Sequence, residues 1–358
     1  MWVPARDLKF YFKLLKFCSK INLFPVDFVY GPKNTFLIKP SSKLKTFAWY
    51  GTFAYVVVRI IFINYLLLKC ILFEEGTLKY EIVLHGIYGI LSVVCISLVA
   101  SMFMRRPDST FLIFNSLFDP IESHNWSHST PKFILMGKTR QQVIAIIFPV
   151  LALTALLAMN VLMVALELKF HWYFMLDQEY RTPVIFVVMW FHENYVMWFW
   201  GAGAIFLAEN MILFFEKVTS SIKNRLESLR CEHSGNLVGG LRNHFLFCLR
   251  MGLTMQIFND GFHATVVFDQ MLFFSIAFEK AFLVPEYIKR FKCQVLEHSK
   301  FNGASDAVLK LFKKRLNAVA NVGVKVGGFH TMERQSTPLF IDFVVRGIAT
   351  ILVAFPGN

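Results

Sequence analysis

The sequence predicts an all-α fold, a polytopic transmembrane helical bundle, and three observations predict it. Apolar residues are 56% of the 358 and charged residues 17%, against roughly 45–50% and about 25% in soluble domains. Forty phenylalanines add more apolar surface than one water-surrounded core would hide. The apolar residues also gather into runs as long as a bilayer is thick, with the basic residues between them. A net charge of +13 would point to nucleic acid in a soluble protein. Here it reports membrane orientation, and the expected partner is the lipid bilayer, with no nucleic acid.

Residues 1–46 open the chain with Arg6, Lys9, Lys13, Lys16 and Lys20 alternating with Phe and Leu at helical spacing. That pattern predicts an amphipathic helix on a membrane surface and not a signal peptide. Five runs reach the roughly 20 apolar residues that a span needs: about Phe47–Phe73, Ile82–Phe103, Val143–Leu166, Val184–Phe215 and Gly261–Val284. A sixth, Leu339–Phe355, is shorter and carries Asp342 and Arg346. The fourth run exceeds one bilayer thickness, so its helix is expected to continue through the charged segment Glu216–Arg230, up to a loop tip at Ser234–Gly240. The six cysteines, Cys18, Cys70, Cys95, Cys231, Cys248 and Cys293, show neither metal-ligand spacing nor a disulfide framework.

Lys and Arg concentrate on the cytoplasmic side of a membrane. Segment 1–46 holds nine and 74–81 one; 104–142 holds five, 167–183 two and 216–260 six. The alternation places the N-terminus in the cytoplasm; the expected location, a separate expectation, is the plasma membrane. Segment 285–338 then holds ten, from Lys289 to Arg334, and a single span at 261–284 would put them outside. Either a span is missing before the last run, or 241–284 crosses twice. Crossing twice brings Arg242, Arg250, Asn259 and Asp260 toward lipid at a high cost, so the missing span is favoured. The expected organisation is a cytoplasmic segment 1–46, helices one to five within 47–284, a basic cytoplasmic segment 285–338 and a final helix in 339–358 with an extracellular end.

Polar residues inside spans are functional candidates. Met189–Tyr195 places Trp190, Glu193 and Tyr195 in the outer half of the fourth span, where charge beside aromatics suits a small polar or amphipathic ligand. At the same expected depth lie His85 and Tyr88 on span two, Asn160 and Glu167 on span three, and Gln270 and Glu279 on span five. The plainer reading is that these groups satisfy one another or form interfacial belts. Arg59 and Glu209 suit interhelical pairing or snorkelling. In the last span Asp342, Arg346 and Thr350 recur at i, i+4 and i+8, on one helical face. That face either lines a pore, with Ile351 and Val353 as a narrow gate, or holds an Asp342–Arg346 pair within one helix. Gly327-Gly328 suits a sharp turn between half-helices, or a loop.

The chain is not expected to be an enzyme, and no cofactor or metal is expected. It has no HExxH and no Gly-rich phosphate loop, and its one HxxxH pair, His124 and His128, sits in a polar loop. A G-protein-coupled receptor would start outside and pair a cysteine within 143–182, which has none. A secondary transporter would show repeated halves. These two remain the alternative classes.

Two stretches carry a resemblance. Lys13–Asp27 reads KLLKFCSKINLFPVD, and Val324–Phe355 reads VKVGGFHTMERQSTPLFIDFVVRGIATILVAF. Lys13–Asp27 is similar to a basic-aliphatic helix ending in a Leu-Phe-Pro turn. Val324–Phe355 is similar to a half-helix, a Gly-Phe turn and a pore helix. Together they resemble the arthropod chemoreceptor superfamily of gustatory and odorant receptors, on the gustatory side, although the Thr-Tyr…Gln-Phe signature of gustatory members is absent. The resemblance implies a seven-helix subunit of a homo- or hetero-tetrameric cation channel, opened by small tastant or odorant molecules, with a co-receptor subunit as the partner in the heteromeric case. Six spans are counted here, so the sixth helix of that plan is the missing one.

Overall fold

A computed structural model describes residues 9–31, 36–73, 79–105, 107–117, 134–135, 138–168, 171–231, 237–272, 279–301, 303–319, 323, 325–326, 330–331 and 346. The described chain is helical apart from three short antiparallel strand pairs. It divides into two compact units. One is Val3–Pro107 with Pro131–Asn210; the other is Met1–Trp2, Asp108–Thr130 and Met211–Asn358.

The first unit begins with α1 (Lys9–Lys20), which buries Tyr11, Phe12, Leu15, Cys18 and Ser19 and turns its lysines outward. The helix stops where Asn22 adopts φ 62° and Leu23 N–H bonds the Cys18 carbonyl at 3.0 Å. Asn is one of the few residues to tolerate that conformation at a helix end. Leu23, Phe24 and Pro25 follow, all buried. Next comes a hairpin that the sequence reading did not anticipate, β1 (Val26–Tyr30) against β2 (Phe36–Pro40), in register Val26↔Pro40 to Tyr30↔Phe36. Val26, Phe28, Phe36 and Ile38 alternate inward. Phe12 stacks on Phe36 with centroids 4.1 Å apart, and Phe24 and Phe28 reach Phe206 at 5.4 and 5.7 Å. The Trp49 indole N–H donates to the Leu23 carbonyl at 3.1 Å, tying this module to the next helix.

That helix is α2 (Lys43–Phe73), followed by α3 (Lys79–Ala100), whose last turn widens into a π-helical turn, Ser101–Arg105. Helix α4 (Pro107–Leu117), the short pair β3 (Ile134–Leu135) and β4 (Lys138–Thr139), and α5 (Arg140–Ala165) come next. After α6 (Trp172–Met175), α7 runs unbroken for 49 residues, Pro183–Cys231. The stretches Lys43–Phe73, Glu81–Arg105 and Pro183–Leu229 are long and apolar enough to cross a membrane. Two of them carry the same surface pattern. On α2, Val58, Ile61, Tyr65, Leu68 and Leu72 are exposed while Arg59 is buried. On α3 the exposed stripe is Val83, Ile87, Ile90 and Val93, with His85 buried. Apolar outside and polar inside inverts the rule for proteins in water, and fits helices whose solvent is lipid.

The second unit takes in α4 from Asp108 and α7 from Met211, and there α8 (Leu237–Leu272), α9 (Glu279–Phe301) and α10 (Asp306–Ala318) precede the pair β5 (Lys325–Val326) and β6 (His330–Thr331). Phe214 stacks on Phe258 at 4.8 Å. The Asn259 amide donates to the Gly323 carbonyl at 2.9 Å, and Lys292 Nζ to the Val319 carbonyl at 2.7 Å.

Several expectations change. The fourth run continues through Glu216–Arg230 as one helix, but Leu237–Gly240 of the expected loop tip already belongs to α8. The fifth run is shared between α8 and α9, with residues 273–278 outside the described part. Helix α5 ends at Ala165, so Glu167 is not on it. Glu167 sits exposed in the turn that follows, at φ 49°. Gly327-Gly328 lies outside the described residues, but its flanks are the paired strands β5 and β6 and not two half-helices.

Candidate functional site: a buried ion pair under an aromatic loop

The polar centre of the first unit is built from α2, α3, α7 and the loop carrying α6. Arg59 Nη2 donates to Glu193 Oε1 at 2.7 Å, and both side chains are shut away from the surface, at 1% and 4% exposed. Taking two charges out of water costs several kcal/mol each, and a lone charge in an apolar span costs more than a paired one. The two therefore fix the pairing of α2 with α7.

The loop completes the enclosure. Trp172 lies over the Arg59 guanidinium, 4.4 Å from its ring centroid, and stacks on Phe62 at 5.8 Å. Its backbone N–H donates to the same Glu193 Oε1 at 3.3 Å. His171 caps α6, its Nδ1 accepting from Tyr173 N–H at 3.3 Å. Arg181 closes the loop by donating to the carbonyls of Leu176 and Phe174, both at 3.0 Å. Burial of His171 holds its imidazole below the ordinary value, although nearby Glu193 acts in the opposite direction. The cap requires the same state, since Nδ1 accepts only when unprotonated.

Beside the pair, the Tyr55 hydroxyl meets His192 Nε2 at 2.7 Å. His85 Nε2 meets the Ile63 carbonyl at 2.8 Å, so Nε2 carries the proton there. His85 and the fully buried Tyr88 both lie within electrostatic reach of Arg59. Of the sequence candidates, then, His85, Tyr88 and Glu193 are brought together. Trp190 and Tyr195 stand half-buried on α7, Tyr195 beside Thr52. Asn160 is fully buried on α5, and neither amide atom meets a partner among the described residues. Glu167 is exposed. Gln270 and Glu279 belong to the second unit, on α8 and α9, and their side chains lie outside the described part. So do Asp342, Thr350, Ile351 and Val353; Arg346 is helical and exposed.

The sequence reading missed Tyr55, His171, Trp172 and His192 as members of this centre and gave Arg59 a pairing role without its partner. A signal existed for Arg59 alone: an arginine in one apolar run and a glutamate in another neutralise each other most cheaply by meeting. Glu209, also on α7, is completely buried, and neither carboxylate oxygen has a partner among the described residues. Burial first, and then Glu209, push the Tyr11 phenol well above its ordinary value.

Among the described residues no group of three or more His, Cys, Asp and Glu is arranged to hold a metal ion. No protein-family model and no curated protein matches the chain.

Proposed function

We propose that this protein is a chemosensory receptor that works as a ligand-gated cation channel for small tastant or odorant molecules. In this reading it is a seven-helix-type subunit of a homo- or hetero-tetramer in the plasma membrane, with a cytoplasmic N-terminus. The observation that carries the reading is the buried Arg59–Glu193 pair roofed by Trp172. An ion pair inside lipid-facing helices stabilises poorly for its cost, and intramembrane charges mark ligand or ion pathways by default. Trp172, Tyr55 and His192 give the centre aromatic and hydrogen-bonding walls, which suit an amphipathic molecule of low mass. The two stretches that resemble the chemoreceptor superfamily supply the rest, including the pore role of Asp342, Arg346, Thr350, Ile351 and Val353.

Patch-clamp recording tests it, with surface biotinylation to confirm delivery. Cells expressing the chain are screened with small amphipathic compounds. A responding compound should lose at least about tenfold in sensitivity in Glu193→Gln, which removes a charged hydrogen-bond acceptor, and should also lose sensitivity in Trp172→Ala, which removes the ring over Arg59. Arg346→Ala and Asp342→Ala should instead change ion permeability ratios. Ligand responses abolished by blocking G proteins would reassign the chain to the G-protein-coupled class. Unchanged permeability in both last-helix variants would remove the pore assignment.

A further inference from the structure

Winding at 100° per residue places Lys9, Lys13, Lys16 and Lys20 within about 60° of arc on α1, with Phe10 and Phe17 roughly 40–60° to one side. All six are exposed, Phe10 at 48% and Phe17 at 50%, while the opposite side of the helix is buried against the hairpin. Lys16 Nζ stands 5.4 Å from the ring centroid of the half-exposed Tyr30. Nothing nearby in sequence offsets this charge. Between Lys9 and Tyr50 the one acidic residue is Asp27, and Lys45 already holds it at 2.6 Å. The module sits at the first turns of α2, where Leu44 and Phe47 are 80% and 77% exposed and Trp49 bonds back to Leu23. The lysine face thus belongs to the end of α2 at which an apolar span begins.

We propose that this face of α1 is a docking surface for anionic phospholipid in the leaflet that α2 enters. The four lysines engage headgroup phosphate and carboxylate, and Phe10 and Phe17 lie in the acyl boundary. Charge complementarity selects the occupant. A zwitterionic headgroup offers no net charge to four adjacent ammonium groups, whereas an anionic leaflet attracts each of them. Aromatic residues flanking a basic stripe are the arrangement of a helix lying in the interface plane. The proposal rests on the membrane reading of α2 and is independent of the channel reading.

The test uses the full chain in nanodiscs of phosphatidylcholine containing a known minor fraction of phosphatidylserine. A photoreactive p-benzoylphenylalanine replaces Phe17, or, as a reference, Leu68 on the outward stripe of α2. After irradiation the lipid adducts at each position are identified by mass spectrometry. The serine-to-choline adduct ratio at position 17 should exceed that at position 68 by at least about threefold, and fall to the reference ratio when the four lysines become glutamine. Equal ratios at the two positions would overturn the proposal, and so would enrichment that survives the lysine substitutions. Capture of protein alone at position 17 would show the face covered by another chain segment, which also overturns it. All the substituted residues are exposed, and adducts at position 68 report that each variant is inserted.

Discussion

Arg59 and Glu193 lie 134 residues apart in sequence, and each is tolerable in its helix because of the other. Removing one partner from a buried pair costs about 3–5 kcal/mol, whereas replacing both with apolar residues of similar volume is close to neutral. Arg59→Met and Glu193→Leu are each expected to lower the unfolding midpoint of the detergent-solubilised protein sharply. The double variant should recover most of the loss, and additive effects would mean that the two charges do not act as a pair. His171 carries a pH dependence of defined sign. Its folded value is held below the ordinary 6.5, so the unfolded chain binds the proton first. The stabilisation from a neutral His171 is complete above about pH 6.5 and declines as the pH falls below it. Thermal unfolding at about pH 5.5 should therefore come earlier than at about pH 7.5. His171→Asn, which keeps a capping acceptor that does not titrate, should narrow that gap. Glu193 was legible in the sequence as a charge among aromatics. Arg59 was legible as a residue that pairs, but the choice of Glu193 over Glu209 was not, because nothing local to either residue specifies which two charges meet across so long a separation. Trp172 was legible even less, since it is one of several aromatics in a short loop and nothing in the sequence singles it out from Tyr173 or Phe174.

Helices α3, α5 and α7 approach closely at Gly201 and Gly203, where small residues allow tight crossings. A Cβ on Gly203 would run into Val99 Cγ2, and one on Gly201 into Leu156 Cδ1. The neighbours differ in how far they can give way. Val99 is β-branched and stiff at χ1, while the tip of Leu156 can change rotamer. Gly203→Ala should cost on the order of 1–3 kcal/mol as overpacking, and Gly201→Ala less. Comparing the two unfolding midpoints checks this, and a larger loss at Gly201 would contradict it. The long apolar helices α2, α3 and α7 were readable because length and hydropathy alone define them. The β1–β2 hairpin was not, because two five-residue strands inside a basic arm leave a period-2 signal too short to stand against the helical spacing of the lysines before it. The end of α5 was legible to within a residue, since the apolar run stops at Leu166 and the helix at Ala165; Glu167 stands just past that end and was assigned to the span by proximity alone.

At the scale of the molecule, orientation rests on the distribution of Lys and Arg and has a direct check. The sequon Asn125-Trp126-Ser127 lies outside the described residues, in the segment that the alternation assigns to the cytoplasm. Glycosidase treatment of the protein from eukaryotic cells should leave its mobility unchanged. A shift that disappears in Asn125→Gln would reverse the orientation and revive the G-protein-coupled alternative. The aromatic module of the N-terminus has a consequence for how the protein is made. Phe24 and Phe28 pack on Phe206, and the Asn210 amide reaches the Tyr11 hydroxyl across a separation of 199 residues. Chains elongate at about 5–20 residues per second, so the ribosome spends roughly 10–40 s between making the cradle and making what fills it. Through that interval a cluster of phenylalanines has left the exit tunnel with its apolar face uncovered, and residues translated well before Phe206 wait for it to reach their final packing. Recruitment of chaperones to the nascent chain should accordingly begin at the hairpin and end once Asn210 has emerged.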